Sequence, residues 1–122
     1  MDKTYWLTEP EKHDFPAAQD YLELLFPAPK AKMLTAGLRK ATTIQKKAKD
    51  ILRASSLPLL PQENRHVKEN LKKVKKGLKL SPILLVSGQH LIIADGYHRL
   101  CTIYYLSEDL MIPCRIISVE GK

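Results

Sequence analysis

Cysteine is scarce in this sequence, with Cys101 and Cys114 the two examples among 122 residues. They are too few for a disulfide framework and lack the spacing of a zinc knuckle. No secretory signal accompanies them, because residues 1–6 contain no apolar segment. We therefore expect two buried, reduced thiols in a cytoplasmic protein.

Long apolar runs are also absent. The longest, such as Leu91–Ala94, are far shorter than the roughly 20 residues that a membrane-spanning helix needs, so no membrane partner is expected. Internal repeats and low-complexity tracts are missing too. The 44% apolar and 27% charged residues are ordinary for a globular protein and exclude a disordered chain. A length of 122 residues is one domain's worth of sequence and argues against a two-domain enzyme.

Charge, in contrast, is plentiful and unevenly distributed. The net charge is +7, but residues 1–29 carry 2 basic and 6 acidic side chains, and residues 80–122 carry 3 basic and 4 acidic. Residues 30–79 carry 15 basic and only 3 acidic side chains, so the basicity belongs to a central block. Such a block is typical of a surface that contacts phosphates or of a solvated helical face.

The first half of the chain has helical patterns. Residues 1–15 are predicted to form an extended arm. Asp14 is a plausible N-cap, with Pro16 in the first turn of a helix that ends before Pro27 and Pro29. Its spacing predicts one apolar face, made by Ala17, Tyr21, Leu24 and Leu25. A second helix is predicted from about residue 31 and a third over residues 43–54.

The second half changes character. Residues 57–61 predict an edge strand or an extended link, because prolines cannot donate to a ladder. Residues 66–76 predict a helix with one lysine-rich face and Gly77 as its C-cap. A hairpin of strands at 82–86 and 90–94, a helix at 97–106 and a strand at 112–119 follow. The fold class is therefore α+β, a helical N-terminal half followed by a small α+β unit.

The most informative stretch is Ile92–Arg99, where a strand ends, Gly96 turns the chain and a helix begins with Tyr97, His98 and Arg99. A helix N-terminus offers free N–H groups and the positive end of a dipole. Gly96 lets a ligand approach the backbone, Arg99 can fork onto phosphate oxygens, and His98 can donate a further hydrogen bond. These features predict a phosphate-binding turn.

Residues 57–119, about half of the chain, resemble the ParB/sulfiredoxin-like domain. The resemblance rests on the extended Leu-Pro-Leu-Leu-Pro segment, the helix ending in Lys-Lys-Gly, the Ser-Pro-Ile-Leu-Leu-Val strand and the Ala-Asp-Gly-Tyr-His-Arg-Leu turn. It implies a mixed sheet with flanking helices for residues 57–122, preceded by a helical region at 1–56, together forming one compact unit. In this superfamily a Gly-x-x-Arg element contacts nucleotide phosphates, and Gly96 and Arg99 match it.

Two departures limit what the resemblance implies. Sulfiredoxin chemistry needs a cysteine directly after the glycine, and Tyr97 occupies that position, while Cys101 lies one helical turn later. Sulfinic-acid reductase activity is therefore not expected. Partition-type ParB proteins also carry a helix-turn-helix and a dimerisation region after this domain. Neither follows here, so the chain looks like a small stand-alone ParB-like protein.

Each candidate residue has a structural alternative. Arg99 could instead form a salt bridge with Asp95, Glu108 or Asp109, His98 could cap or enter the core, and Tyr97 could be a core aromatic. Asp95 could hold the turn, orient His98 or a metal ion, or act as a catalytic residue.

Asn64 and Arg65 loosely match a pocket-lining segment of ParB-like domains, but Asn64 is also a good N-cap. The helix lysines suit either a solvated face or nucleic-acid phosphates; they are Lys68, Lys72, Lys73, Lys75, Lys76 and Lys79.

Three hypotheses follow. The leading one is a domain that binds a nucleotide, with Mg²⁺, or another phosphorylated ligand at Gly96–Arg99. If it is an enzyme, phosphate hydrolysis or phosphoryl transfer fits best, with Asp95 and Glu69 the candidate bases. The alternatives are a non-enzymatic nucleic-acid-binding module and an interaction protein that uses its N-terminal helices. No acidic cluster suited to metal-dependent cleavage is visible, so no metal site is predicted and a nuclease ranks low. The oligomeric state stays open.

Overall fold

A computed structural model describes residues 5–120, which form five helices and four strands. The elements in chain order are α1 (Asp14–Leu22), α2 (Ala28–Lys40), β1 (Ile44–Lys47), α3 (Ala48–Ser55), α4 (Arg65–Lys75), β2 (Ile83–Ser87), β3 (Leu91–Asp95), α5 (Tyr97–Leu106) and β4 (Met111–Ser118). The first four residues of the predicted arm lie outside the described residues. None of the helices within residues 5–120 has the length and apolarity that crossing a bilayer requires.

The four strands form one mixed sheet in the order β1-β4-β2-β3. β2 and β3 are the predicted antiparallel hairpin, with Leu85 opposite Ile93. β4 lies parallel to β2, with Ile83 opposite Cys114, and antiparallel to β1. The connection from β2 to β4 passes through β3 and α5, which places α5 against one face of the sheet. The predicted α+β class is confirmed.

Strand β2 is buried on both faces because helices cover both sides of the sheet. Its side chains alternate, so Ile83 and Leu85 point to one core while Leu84 and Val86 point to the other. The first core also receives Trp6 and residues of α3 and α5, namely Ala48, Ile51, Leu100 and Ile103. The second receives residues of α1 and α2, namely Phe15, Ala18, Leu22, Ala31, Leu34 and Leu38. Both cores therefore combine residues from before and after position 56.

The predicted third helix over residues 43–54 is wrong at its start. Ile44–Lys47 form β1, and the helix begins only at Ala48. β1 pairs with the first half of β4, with Ile44 opposite Cys114 and Lys47 opposite Met111. The partner strand lies far along the chain, so this pairing overrides the local helical spacing, which is a weak constraint by itself.

The buried face and the end of the first helix also differ from the prediction. α1 ends at Leu22 and buries Phe15, Ala18 and Leu22, whereas Leu24 is 81% exposed. Both candidate stripes have helical spacing, so periodicity alone could not choose between them. α2 starts at Ala28, with Pro29 in its first turn rather than beyond the preceding helix.

Helix α2 also contains Gly37, which packs closely on the sheet. A Cβ atom there would lie 2.3 Å from Ile117 Cδ1, so the glycine lets α2 approach β4.

Arg115 on β4 connects four segments of the chain. Its Nε donates to Thr43 Oγ1 (3.1 Å), and its Nη1 donates to the α2 carbonyls of Leu38 (3.1 Å) and Arg39 (2.8 Å). Its Nη2 forms an ion pair with Glu9 of the N-terminal arm. The side chain is only 12% exposed, so the guanidinium caps the end of α2 while holding the arm and the entry to β1.

Replacing Arg115 with methionine should therefore destabilise the fold. We expect the free energy of unfolding to fall by about 2–3 kcal/mol, because several charge-assisted hydrogen bonds are lost together. Urea denaturation measures the change. Arg53→Met is the control, because Arg53 is 84% exposed and pairs with Asp50 one helical turn away. Equal losses in the two variants would contradict this role for Arg115.

Candidate functional site

A cleft of about 300 Å³ lies where α4, the β3–α5 turn and the N-terminal arm meet. Its lining is largely polar and ionisable. The lining residues are Glu11, His13, His66, Glu69, Asn70, Lys73, Lys79, Leu80, Ser81, Asp95, Gly96, His98 and Arg99. The predicted turn residues Asp95, Gly96, His98 and Arg99 therefore share one concave surface with two lysines of the basic block.

The fold itself requires glycine at position 96, which also lines the cleft. It precedes α5 with φ of 114°, a left-handed conformation that favours glycine. A Cβ atom would lie 2.2 Å from Ile83 Cγ2, so the glycine also lets the turn pack on β2. No side chain among residues 5–120 caps the start of α5. The first turn of that helix therefore stays open to an anion.

Arg99 forms the salt bridge that was its structural alternative. Its Nη2 lies 3.0 Å from Asp95 Oδ2 and donates to the Pro82 carbonyl at 3.3 Å. Its Nε is buried and has no hydrogen-bond partner among residues 5–120. Part of the guanidinium fork is therefore already used to hold the β3–α5 turn.

His98 lies beside a second histidine across the cleft. The rings of His66 and His98 have centroids 4.7 Å apart and are tilted by 53°. Burial lowers the pKa of His98 below its ordinary value, and the nearby His66 and Arg99 lower it further. A neutral imidazole has one donor and one acceptor nitrogen, so His98 can offer a hydrogen bond without a charge.

Tyr97 does not line the cleft. Its hydroxyl donates to the carbonyl of Pro58, which ties the 57–61 link to α5. Tyr105 does the same to Leu60 at 2.5 Å. The link forms no strand, which settles the choice between edge strand and extended segment in favour of the segment.

Asn64 and Arg65 also lie outside the cleft lining. The Asn64 side chain caps α4, accepting from the backbone N–H groups of His66 (3.0 Å) and Val67 (3.2 Å). Arg65 is exposed, with its Nε 3.8 Å from a Glu69 carboxylate oxygen. The capping role of Asn64 is the one that the geometry supports.

The six predicted lysines of residues 68–79, which lie on α4 (Arg65–Lys75) and just beyond its end, separate into two groups. All are exposed, and none forms an ion pair with another residue of the described chain. Lys73 and Lys79 line the cleft, and the other four, which are Lys68, Lys72, Lys75 and Lys76, do not. Four cleft residues of α4 lie at helical spacing, namely His66, Glu69, Asn70 and Lys73. This polar stripe was the sequence signal that could have located the α4 side of the cleft.

Sequence reasoning missed the acidic side of the cleft. Asp14 is 2% exposed, and its Oδ2 accepts hydrogen bonds from the Ser81 hydroxyl and from the Glu11 N–H at 3.2 Å. Ser81, Glu11 and His13 line the cleft itself. Ser81 comes from a distant part of the chain, and no local pattern marks the contact. Asp14 was predicted as an N-cap, but it lies inside α1, which begins after His13.

The cysteines have no place in this site. Both are buried and unpaired by disulfides, as expected. Burial raises the pKa of the Cys101 thiol, and it raises that of Cys114 to about 11, so neither favours the thiolate at neutral pH. Within residues 5–120 no group of three or more His, Cys, Asp or Glu side chains is arranged to hold a metal ion.

The crowding at Gly96 generates a stability prediction. Gly96→Ala should lower the free energy of unfolding by about 3 kcal/mol, because backbone strain adds to a clash with Ile83. Gly77→Ala is the matched control, since Gly77 also has positive φ (82°) but no atom within 4 Å of a built Cβ. We expect about 1 kcal/mol there. Thermal or urea unfolding measures both, and similar losses would show that crowding contributes nothing.

Comparison with known proteins adds no assignment to this geometry. No protein-family model matches the chain, and neither a curated protein nor a solved structure matches it. The ParB/sulfiredoxin-like resemblance therefore stays a prediction that rests on the residues quoted for it.

Proposed function

We propose that the cleft binds a phosphorylated ligand, with a nucleotide as the favoured form. The observation that supports this is that two separate features of the sequence meet in one place. The cleft is lined by residues of the Gly96–Arg99 turn and by lysines of the basic block. The open start of α5 and the ammonium groups of Lys73 and Lys79, which form no ion pair within residues 5–120, are complementary to a phosphate group.

The distribution of charge indicates which residues would contact the phosphate. The Arg99 guanidinium forms an ion pair with the Asp95 carboxylate. The carboxylate oxygens of Glu69 lie 3.8 Å from Arg65 Nε and 3.8 Å from His66 Nδ1. Lys73 and Lys79 have no such partners among the described residues, so a ligand would meet their full charge. The first N–H groups of α5 and the imidazole of His98 would supply hydrogen bonds that orient the anion.

A nucleotide would bring Mg²⁺ with it. This ion keeps most of its waters and binds mainly through phosphate oxygens, so it needs few protein ligands. Glu69 and Asp95 are carboxylates of the cleft that could contact it or act as a base. Hydrolysis or phosphoryl transfer would then depend on positioning and charge stabilisation. The resemblance of residues 57–119 to ParB/sulfiredoxin-like domains favours the same ligand class.

Calorimetry with ATP, CTP and GTP, each with Mg²⁺, tests the proposal. We expect binding of at least one nucleotide, weakened by about tenfold or more in Lys73→Gln/Lys79→Gln, because two charge-assisted contacts are lost. Lys75→Gln/Lys76→Gln removes the same charge from exposed positions outside the cleft and should change the affinity little. Absence of binding to all three nucleotides, or equal loss in both double variants, would overturn the proposal.

A nucleic-acid surface is the second candidate. It is favoured by the exposure of Lys68, Lys72, Lys75 and Lys76 outside the cleft. Contacts of this kind are to phosphates, fall steeply with salt and carry little sequence preference.

A gel-retardation series across salt concentrations distinguishes the two functions. If nucleic acid is the partner, Lys75→Gln/Lys76→Gln should weaken retardation at low salt and reduce its salt dependence, while leaving nucleotide binding unchanged. If no retardation appears at any salt concentration, these lysines form a solvated helical face.

A further inference from the structure

Three aromatic rings form a row that runs from outside the cleft into it. The rings of Tyr97 and His98 have centroids 5.8 Å apart and are tilted by 39°, and those of His98 and His66 are 4.7 Å apart and tilted by 53°. Tyr97 lies outside the cleft lining, whereas His98 and His66 belong to it. The row therefore ends in the cleft, at the imidazole of His66.

Hydrogen bonds and a charged neighbour hold the two ends of this row. The Tyr97 hydroxyl donates to the carbonyl of Pro58 at one end. At the other end, the backbone N–H of His66 donates to the Asn64 side chain at 3.0 Å, and a carboxylate oxygen of Glu69 lies 3.8 Å from His66 Nδ1. A ring that is oriented before a ligand arrives loses little side-chain entropy on binding, which favours affinity.

The His66 ring offers the cleft an exposed flat surface. Its side chain is 59% exposed. Apart from Leu80 and Gly96, the described residues of the lining carry charged or polar side chains. Nucleobases stack on aromatic side chains, histidine included, and they do so with little dependence on which base is present. The cleft therefore combines a surface suited to a planar ring with cations suited to phosphate.

The spacing along α4 fits a ligand that uses both of these surfaces. His66 and Lys73 are seven residues apart on α4, so they lie on one face of the helix and about 10 Å apart along its axis. A nucleoside diphosphate or triphosphate spans a comparable distance from its base to its outer phosphate. The start of α5 lies beside the His66 end, because His98 of its first turn contacts His66.

We propose that His66 binds the nucleobase by stacking, and that the cleft therefore takes nucleoside diphosphates or triphosphates in preference to phosphate chains without a base. This inference rests on the proposed function and assigns the part of the ligand that the proposed phosphate contacts leave open. The base would lie on His66, the first phosphate at the start of α5, and the outer phosphates at Lys73 and Lys79. Stacking uses the face that all bases share, so discrimination among ATP, CTP and GTP should be modest.

The experiment compares two ligands that differ by the nucleoside. Calorimetry on the full chain measures the binding of ATP and of tripolyphosphate, each with Mg²⁺; tripolyphosphate has the phosphate chain but neither base nor ribose. The proteins are wild type, His66→Ala, His66→Phe, Lys73→Gln/Lys79→Gln and the control His90→Ala. His90 is an exposed histidine between β2 and β3, outside the cleft lining.

We expect the wild type to bind ATP at least about tenfold more tightly than tripolyphosphate, because stacking of one base is worth roughly that factor. His66→Ala should remove this preference by weakening ATP alone. His66→Phe keeps a flat ring and should keep most of the preference, which separates stacking from hydrogen bonding or charge on the imidazole. Lys73→Gln/Lys79→Gln should weaken both ligands, and His90→Ala should weaken neither.

NMR gives a readout that a purely structural role for His66 would not produce. The adenine protons of ATP should shift upfield on binding to the wild type, because they would lie over an aromatic ring. His66→Ala should reduce this shift, and His90→Ala should leave it unchanged. A shift of the same size in the wild type and in His66→Ala would overturn the stacking role.

The calorimetric failures are distinguishable. If neither ligand binds to the wild type, the proposed function is wrong, and the stacking role is wrong with it. If tripolyphosphate binds as tightly as ATP, the phosphate site stands and the stacking role of His66 is overturned. The same holds if His66→Ala weakens both ligands equally, since His66 would then contact phosphate, or if His66→Phe loses the preference as completely as His66→Ala.

Discussion

The Arg115 guanidinium is the interaction on which the arrangement of the N-terminal half depends. It joins Glu9 of the arm, the C-terminal carbonyls of α2 and Thr43 at the entry to β1. A nearly buried cation is costly unless its donors are satisfied, and here every nitrogen of the guanidinium has a partner. The arm is also held beside the cleft by backbone hydrogen bonds from Leu7 N to Leu80 O (2.8 Å) and from Leu80 N to Tyr5 O (2.7 Å), and Glu11 and His13 of the arm line the cleft. Arg115 therefore fixes one end of a segment whose other contacts reach the site.

The central strand explains why helices must cover both faces of the sheet. β2 alternates between two cores, and a strand buried on both sides needs helices above and below it. α1 and α2 cover one face, while α3 and α5 cover the other. This layering places the start of α5 beside the wall that α4 and the arm form, which creates the cleft.

The sequence predicted the second half of this architecture better than the first. Asn64 and the Asp95–Gly96 turn are local signals that lie at the expected boundaries, and Gly77 lies one residue beyond the C-cap of α4, which is Lys76. β1 and the buried face of α1 were missed because they depend on β4 and on the sheet, which lie far away in sequence. The same division applies to the cleft. The turn residues were predicted, whereas Asp14 and Ser81 meet only through the fold.

The geometry also changes the role of Arg99. The Gly-x-x-Arg pattern suggested a guanidinium that forks onto phosphate, but Arg99 holds Asp95 and the Pro82 carbonyl. Transferring Arg99 to a ligand would leave the mostly buried Asp95 without its cation, and uncompensated buried charge is strongly destabilising. Lys73 and Lys79 form no ion pair with any of the described residues, so binding a ligand would break none. The turn therefore contributes shape and backbone donors to the proposed anion site, while Lys73 of α4 and Lys79 of the segment after it contribute the charge.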